Sequence, residues 1–179
     1  LSGLVGSEMC IRDRVGTAAL KVNTIGSQNS AFGVNALGQN TTGYRNTAIG
    51  EYSLFNNTTG VNNTAVGSRA LFTNSIGTLN TAVGANALYA TTTGTGNVAV
   101  GYQALNANTT GSSNVAIGYN SLLANVTGLQ NIAVGQGTLR YNTVDYLVAV
   151  GHTALFNNTT GTTNTCLLYT SPSPRDQRG

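Results

Sequence analysis

Apolar and polar positions repeat along this chain with a period of 17 residues. A phrase such as Asn46-Thr47-Ala48-Ile49-Gly50 returns seven times at that spacing, from Asn29 to Asn131. Its closing Gly recurs nine times and is followed each time by Leu four residues later. The nine Leu are Leu20, Leu37, Leu54, Leu71, Leu88, Leu105, Leu122, Leu139 and Leu155. The consensus is Asn-Thr-Ala-Val-Gly-x-x-Ala-Leu-x-x-Asn-Thr-Thr-Gly-x-x.

Each phrase predicts a short β-strand. In Val98-Ala99-Val100, for example, β-branched residues flank a small one, which favours a strand over a helix. Alternation sends Val98 and Val100 to one face and Ala99 to the other. Both faces are apolar, and a parallel sheet of that kind is covered on both sides. We expect one face to fill the interior and the other to pack against a neighbouring subunit.

A 17-residue repeat cannot bury a hydrophobic face by itself, so successive copies must stack. The sequence therefore predicts an all-β fold, a parallel β-solenoid (β-roll) of about nine 17-residue coils. At about 4.8 Å per coil the rod is roughly 43 Å long. The segment 101–108, between the strand and the next Asn, fits either a second strand or a single helical turn.

A second Gly follows Asn-Thr-Thr in four copies, as in residues 108–111. Both fixed glycines indicate turns that need positive φ or close backbone approach. The neighbouring Asn and Thr side chains are expected to bond to the turn backbone, and the Asn residues to form hydrogen-bonded columns.

One copy, residues 131–146, has only 16 residues. The alignment puts Asp145 in place of its second Gly and Leu147 in place of the next Asn. We interpret this as drift within one turn rather than as a bulge at a binding site.

The two ends differ in composition from the repeats. They contain both Cys (Cys10 and Cys166), both Pro, the single Met and seven of the thirteen charged residues. One codon choice for residues 166–176, read on the opposite DNA strand, translates as residues 4–13. The ends therefore resemble a sequencing-library adapter translated on both sides of a DNA fragment. We assign residues 1–14 and 166–179 to adapter-derived sequence and residues 15–165 to a solenoid fragment.

Composition excludes several function classes for residues 15–165. This segment has no Cys, so neither a disulfide framework nor a thiolate metal site is expected. Its charged residues are Lys21, Arg45, Arg69, Arg140, Glu51 and Asp145. Four cations are too few for tracking a phosphate backbone, so no nucleic-acid partner is predicted. The segment contains no run of about 18 apolar residues, so direct membrane insertion is not expected.

The sequence predicts no enzyme, no cofactor and no metal site. Glycan hydrolysis needs two carboxylates within roughly 5 to 10 Å. Glu51 and Asp145 are about 5.5 coils apart, or some 26 Å at about 4.8 Å per coil. Calcium-binding rolls need a recurring Asp in each copy, which this repeat lacks. His152 is the only histidine, and we interpret it as a solvated turn residue.

Two patterns leave a ligand-binding role open. Tyr102 and Tyr119 occupy the same turn position in adjacent coils, which suits either a stacking platform for sugar rings or partly exposed packing. Adjacent Thr pairs raise an ice-binding alternative, although neighbouring strand residues face opposite ways, so turns suit them better. The pairs include Thr58-Thr59, Thr92-Thr93, Thr109-Thr110 and Thr159-Thr160.

Residues 80–84 (Asn-Thr-Ala-Val-Gly) and 114–118 (Asn-Val-Ala-Ile-Gly) resemble the head repeats of trimeric autotransporter adhesins of the YadA-like kind. Residues 101–105 (Gly-Tyr-Gln-Ala-Leu) are similar to repeat arrays of phage tail fibres that end in an intramolecular chaperone domain. The resemblance covers residues 15–165, although a 17-residue period is longer than the usual head repeat. The family's anchor, stalk and chaperone domain are not carried over to this segment.

The resemblance implies a left-handed, homotrimeric roll on a bacterial outer membrane or a virion tail. It further implies a spacer and multivalent adhesive surface whose partner is a host-surface glycan or matrix protein. The alternative function is a carbohydrate- or ice-binding solenoid module.

The repeat segment begins and ends inside a repeat, at Val15 and Thr165, so its terminal strand edges are expected to be open. We predict that the chain expressed alone aggregates or is poorly ordered. Light scattering and thermal denaturation test this; a soluble monomer with a sharp melting transition would contradict it.

Overall fold

A computed structural model of the chain describes residues 12–168, which contain strands, turns and bends and no helix. The strands are β1 (Arg12–Val15), β2 (Asn29–Phe32), β3 (Thr47–Ile49), β4 (Thr64–Val66), β5 (Thr81–Val83), β6 (Val98–Val100), β7 (Val115–Ile117), β8 (Ile132–Val134), β9 (Val148–Val150) and β10 (Thr165–Leu167). They form one ten-stranded parallel sheet in chain order. The predicted all-β solenoid of about nine coils is confirmed.

The described residues extend slightly into both segments assigned to the adapter. Strand β1 contains residues 12–14 and strand β10 contains residues 166 and 167. Residues 1–11 and 169–179, the remainder of those segments, lie outside the described part of the chain.

Equivalent residues of successive coils lie side by side. Ala82 pairs with Ala99, 17 positions later, and every junction from β1 to β8 keeps that offset. Between β8 and β9 the offset falls to 16, as Ala133 pairs with Ala149. The shorter repeat is therefore absorbed in a turn, and the strands stay in register.

The interior is filled by small and medium side chains. The central Ala of strands β2 to β9, including Ala99, is fully buried, and so are Leu37, Leu105 and their equivalents up to Leu139. The β-branched residues of the same strands point outward; Ile49 is 42% exposed and Ile117 is 39% exposed. The sheet therefore places its Ala face inside and its larger apolar face outside.

The segment between the strand and the next Asn is neither a strand nor a helix. In residues 101–108, Ala104 N–H donates to the Gly101 carbonyl (3.3 Å) and Asn108 N–H to the Leu105 carbonyl (3.3 Å), so two turns follow each other. Leu105 N–H donates to Ser121 of the next coil (2.9 Å). Inter-coil bonds thus continue through the turns.

Leu105 and its equivalents adopt the left-handed region, with φ of 53° at Leu105. That conformation costs a residue with a Cβ atom about 1–2 kcal/mol. Complete burial of a Leu side chain contributes about 1.5–3 kcal/mol. Burial therefore offsets the backbone cost, which explains why this turn position uses Leu although its φ favours Gly.

Two columns of Asn side chains run through the interior, as expected. In the first, Asn63 Oδ1 accepts a hydrogen bond from Asn80 N–H of the next coil (3.0 Å), and Asn63 Nδ2 donates to the Gly77 carbonyl (2.8 Å). In the second, Asn57 Nδ2 donates to Asn40 Oδ1 of the preceding coil (2.8 Å) and to the Gly60 carbonyl (3.0 Å). These bonds satisfy amides that would otherwise be costly to bury.

Gly is required at the two fixed positions for different physical reasons. Gly101 has φ of +132°, and a Cβ atom there would lie 2.6 Å from the Gly118 carbonyl oxygen. A Cβ atom at Gly60 would lie 2.6 Å from the Gly77 carbonyl oxygen and closer still to Asn57 Oδ1. Positive φ thus requires the first Gly, and close approach by the Asn columns and the next coil requires the second.

The alignment of Asp145 with the second Gly is wrong. Asn131 Nδ2 donates to the Val144 carbonyl (2.9 Å), the bond that its equivalents make to Gly, so Val144 occupies that place. The residue missing from this coil lies between Asn142 and Val144, before the Gly place rather than after it. Leu147 does replace the next Asn, and its N–H donates to Asn131 Oδ1 (3.0 Å).

Gly101→Ala should therefore destabilise the rod far more than Gly96→Ala. Gly96 also has positive φ (+66°), but the nearest atom to an added Cβ is 3.8 Å away. We expect the free energy of unfolding to fall by at least about 3 kcal/mol for G101A and about 1 kcal/mol for G96A. Denaturant unfolding measures both, and equal losses would contradict the steric explanation.

Thr91 interrupts the second Asn column. It replaces the Asn found in the coils on either side, and both Asn74 Oδ1 and Thr91 Oγ1 are buried without a hydrogen-bond partner. The column is therefore two shorter ladders that end at this coil.

Thr91→Asn should join them. Its amide would donate to Asn74 Oδ1 and Gly94, and its carbonyl would accept from Asn108, at about 1 kcal/mol per bond. We expect the free energy of unfolding to rise by about 1–3 kcal/mol in denaturant titration. Thr91→Val is the matched control, because it removes the unpaired hydroxyl but leaves Asn74 unpaired; a Val variant as stable as the Asn variant would disprove the pairing.

Candidate functional site

The turn that follows each strand presents one side chain to solvent directly after the positive-φ Gly. Tyr102 and Tyr119 occupy this place in adjacent coils, are 45% and 50% exposed, and stack with ring centroids 5.4 Å apart and planes 15° from parallel. The predicted juxtaposition is confirmed. Because the two rings stack on each other, only their outer faces and edges are open to a ligand.

His152 occupies the same turn place three coils from Tyr102 and is exposed. Within residues 12–168 no three His, Cys, Asp or Glu side chains come together in a metal-binding group. The Asp145 carboxylate accepts a hydrogen bond from Leu129 N–H (2.7 Å), so it supports the backbone of the preceding coil. Glu51 and Asp145 lie at different places of coils well apart along the rod.

The Thr pairs lie in bends, as expected. The first Thr of several pairs bonds to the next coil: Thr58 Oγ1 donates to the Ser75 carbonyl (3.1 Å) and Thr92 Oγ1 to the Thr109 carbonyl (3.2 Å). These hydroxyls therefore hold the turns of neighbouring coils together. The second Thr of each pair faces solvent.

A larger aromatic cluster was not anticipated from the sequence. Phe55, Phe72 and Tyr89 take the same turn place in three successive coils, and their ring centroids are 5.6 and 5.2 Å apart. An open pocket of about 260 Å³ lies beside them, lined by Tyr52, Arg69, Phe72 and Tyr89. The 17-residue spacing of the three rings was the signal that could have predicted this column.

The strands present a second continuous surface. We call the outward-facing residues of β2 to β9 the outward strand face. It comprises Ser30, Phe32, Thr47, Ile49, Thr64, Val66, Thr81, Val83, Val98, Val100, Val115, Ile117, Ile132, Val134, Val148 and Val150. It has no charged residue, and its Val, Ile and Phe side chains are half-buried or exposed within this single chain.

These features define a β-solenoid repeat protein with two distinct surfaces, an aromatic turn side and an apolar strand side. Comparison of the chain with family models, curated proteins and solved structures finds no match. Residues 12–168 include no helix long and apolar enough to cross a membrane.

Proposed function

We propose that this chain is a structural and adhesive segment of a bacterial surface adhesin or a phage tail fibre. It acts outside the cell as a spacer and as a multivalent display surface. The observation that carries the proposal is the outward strand face, because a parallel sheet with one uncovered apolar face is unusual for a protein that functions as a monomer.

We propose that a second and a third copy of this chain pack against that face. Equivalent side chains recur at the same place in every coil, so one copy can meet another along the whole length of the rod. In a closed trimer, one side of this face on each subunit meets the other side of the face on the next subunit, so three copies can cover it about one axis. The resemblance of the Asn-Thr-Ala-Val-Gly phrases to trimeric adhesin heads favours three subunits over two.

A trimer suits the spacer role for a mechanical reason. Each coil contacts only its neighbours along the chain, so a single rod is weakened wherever an inter-coil bond is missing, as at Thr91. Two adjacent rods that pack against the same coil support it laterally. Repeated exposed Thr and Tyr side chains then give weak contacts whose avidity exceeds any single one.

We expect the soluble fraction to sediment at equilibrium with a mass of about 55 kDa, three times the 18.3 kDa chain. Ile117→Lys places a charge on the outward strand face and should reduce the mass to that of the monomer. Leu129→Lys is the matched control. The Leu129 side chain is 37% exposed, nearly the same fraction as the 39% of Ile117, but it lies in a turn. A monomeric wild-type chain, or an unchanged mass for I117K, would disprove the trimer.

A further inference from the structure

The aromatic column lies outside the core of the fold. Phe55, Phe72 and Tyr89 are half-buried, while the interior at the same level is already filled by Ala, Leu and Asn. Their rings are nearly parallel, with planes 12° and 5° apart, and Tyr52 meets Phe55 edge-on at 5.3 Å. The column is therefore a rigid apolar surface that faces solvent.

An unpaired cation stands beside this surface. Arg69 is exposed and lines the pocket with Tyr52, Phe72 and Tyr89. Among residues 12–168 no hydrogen bond or ion pair engages its guanidinium, although Glu51 belongs to the preceding coil. A guanidinium has five donors arranged to bind a carboxylate in bidentate fashion.

The same combination recurs further along the rod. Arg140 lies over the rings of Tyr141 (5.4 Å) and Phe156 (5.8 Å), which themselves meet edge-on. Arg140 Nε is buried and has no hydrogen-bond partner. Arg140 occupies the turn place of Phe72 four coils later, so the two cationic sites are about 19 Å apart along the axis.

Charge is distributed unevenly around the rod. Lys21 shares the turn place of Phe72 and Arg140, so three of the four cations of residues 15–165 lie on this side. The fourth, Arg45, lies in a different turn and donates from Nε to Gln28 Oε1 (2.8 Å). The Asp145 carboxylate is already bound to a backbone N–H. The aromatic side is therefore also the cationic side.

We propose that this side binds an anionic polysaccharide, with uronic-acid carboxylates on Arg69 and Arg140 and the apolar faces of sugar rings against the aromatic column. The pocket is partly open to solvent, which suits one sugar of a polymer better than an enclosed small molecule. A polymer lying along the rod reaches both cationic sites, and simultaneous engagement raises the avidity. Three cations are too few for a nucleic acid, whose affinity depends on many phosphate contacts.

This proposal assigns a ligand class to the display role and rests on that role for its biological meaning. The residues involved are separate from the outward strand face. Failure of the trimer test with retained polysaccharide binding, or the reverse, therefore identifies which of the two proposals is wrong.

The test uses the full chain immobilised through its carboxyl terminus at low surface density, which suppresses association between chains. Polygalacturonate is the probe, and its methyl ester is the matched neutral polymer. We expect binding of polygalacturonate that weakens with added salt, and at least tenfold weaker binding of the ester. Arg69→Ala should weaken binding about tenfold, and R69A combined with R140A should abolish it.

Arg45→Ala is the control for general charge and should change the affinity less than twofold. Tyr89→Leu keeps an apolar side chain but removes the ring, and should weaken binding of polygalacturonate about fivefold without altering its salt dependence. Circular dichroism verifies that each variant retains the wild-type spectrum. No binding of polygalacturonate, equal binding of the ester, equal losses for R45A and R69A, or equally tight binding of single-stranded DNA would overturn the proposal.

Discussion

Hydrogen bonding in register between successive coils is the constraint on which the rest of this structure depends. A 17-residue coil has too little interior to be stable alone, and its backbone donors and acceptors find partners in the coils before and after it. Those bonds run through the turns as well as the strands, as Leu105 and Ser121 illustrate. Register is kept even where the chain is one residue short, because the loss between Asn142 and Val144 falls where no strand pairing is disturbed.

The thin interior also explains which residues face outward. Inside the coil, Ala, Leu and two columns of Asn fill the space, and the glycine positions show that a single added carbon would strike the next coil. The strands must therefore direct Ala inward and Val or Ile outward. The apolar outer surface that we propose as the subunit interface is thus a consequence of how the interior is packed.

Some turn places are free to vary because their side chains point away from this interior. The turn place of Phe72 holds a cation, an aromatic ring, an amide, Leu or Gly in different coils, while the backbone around it repeats. The solenoid therefore presents different side chains at this place, spaced at regular intervals of one coil. The Arg69 and Arg140 sites are two such selections on the same side of the rod.

Periodicity in the sequence determined the coil, its parallel strands, the two kinds of glycine, the Asn columns and the stacking of Tyr102 on Tyr119. Each of these follows from residue types that recur at one spacing, since recurrence places like residues in contact. Tertiary structure alone decided which face of the sheet is internal, how residues 101–108 turn, and that Val144 rather than Asp145 takes the Gly place. It also decided that Arg69 lies beside three aromatic rings, because that proximity depends on the three-dimensional path of the turns and on residues that do not recur.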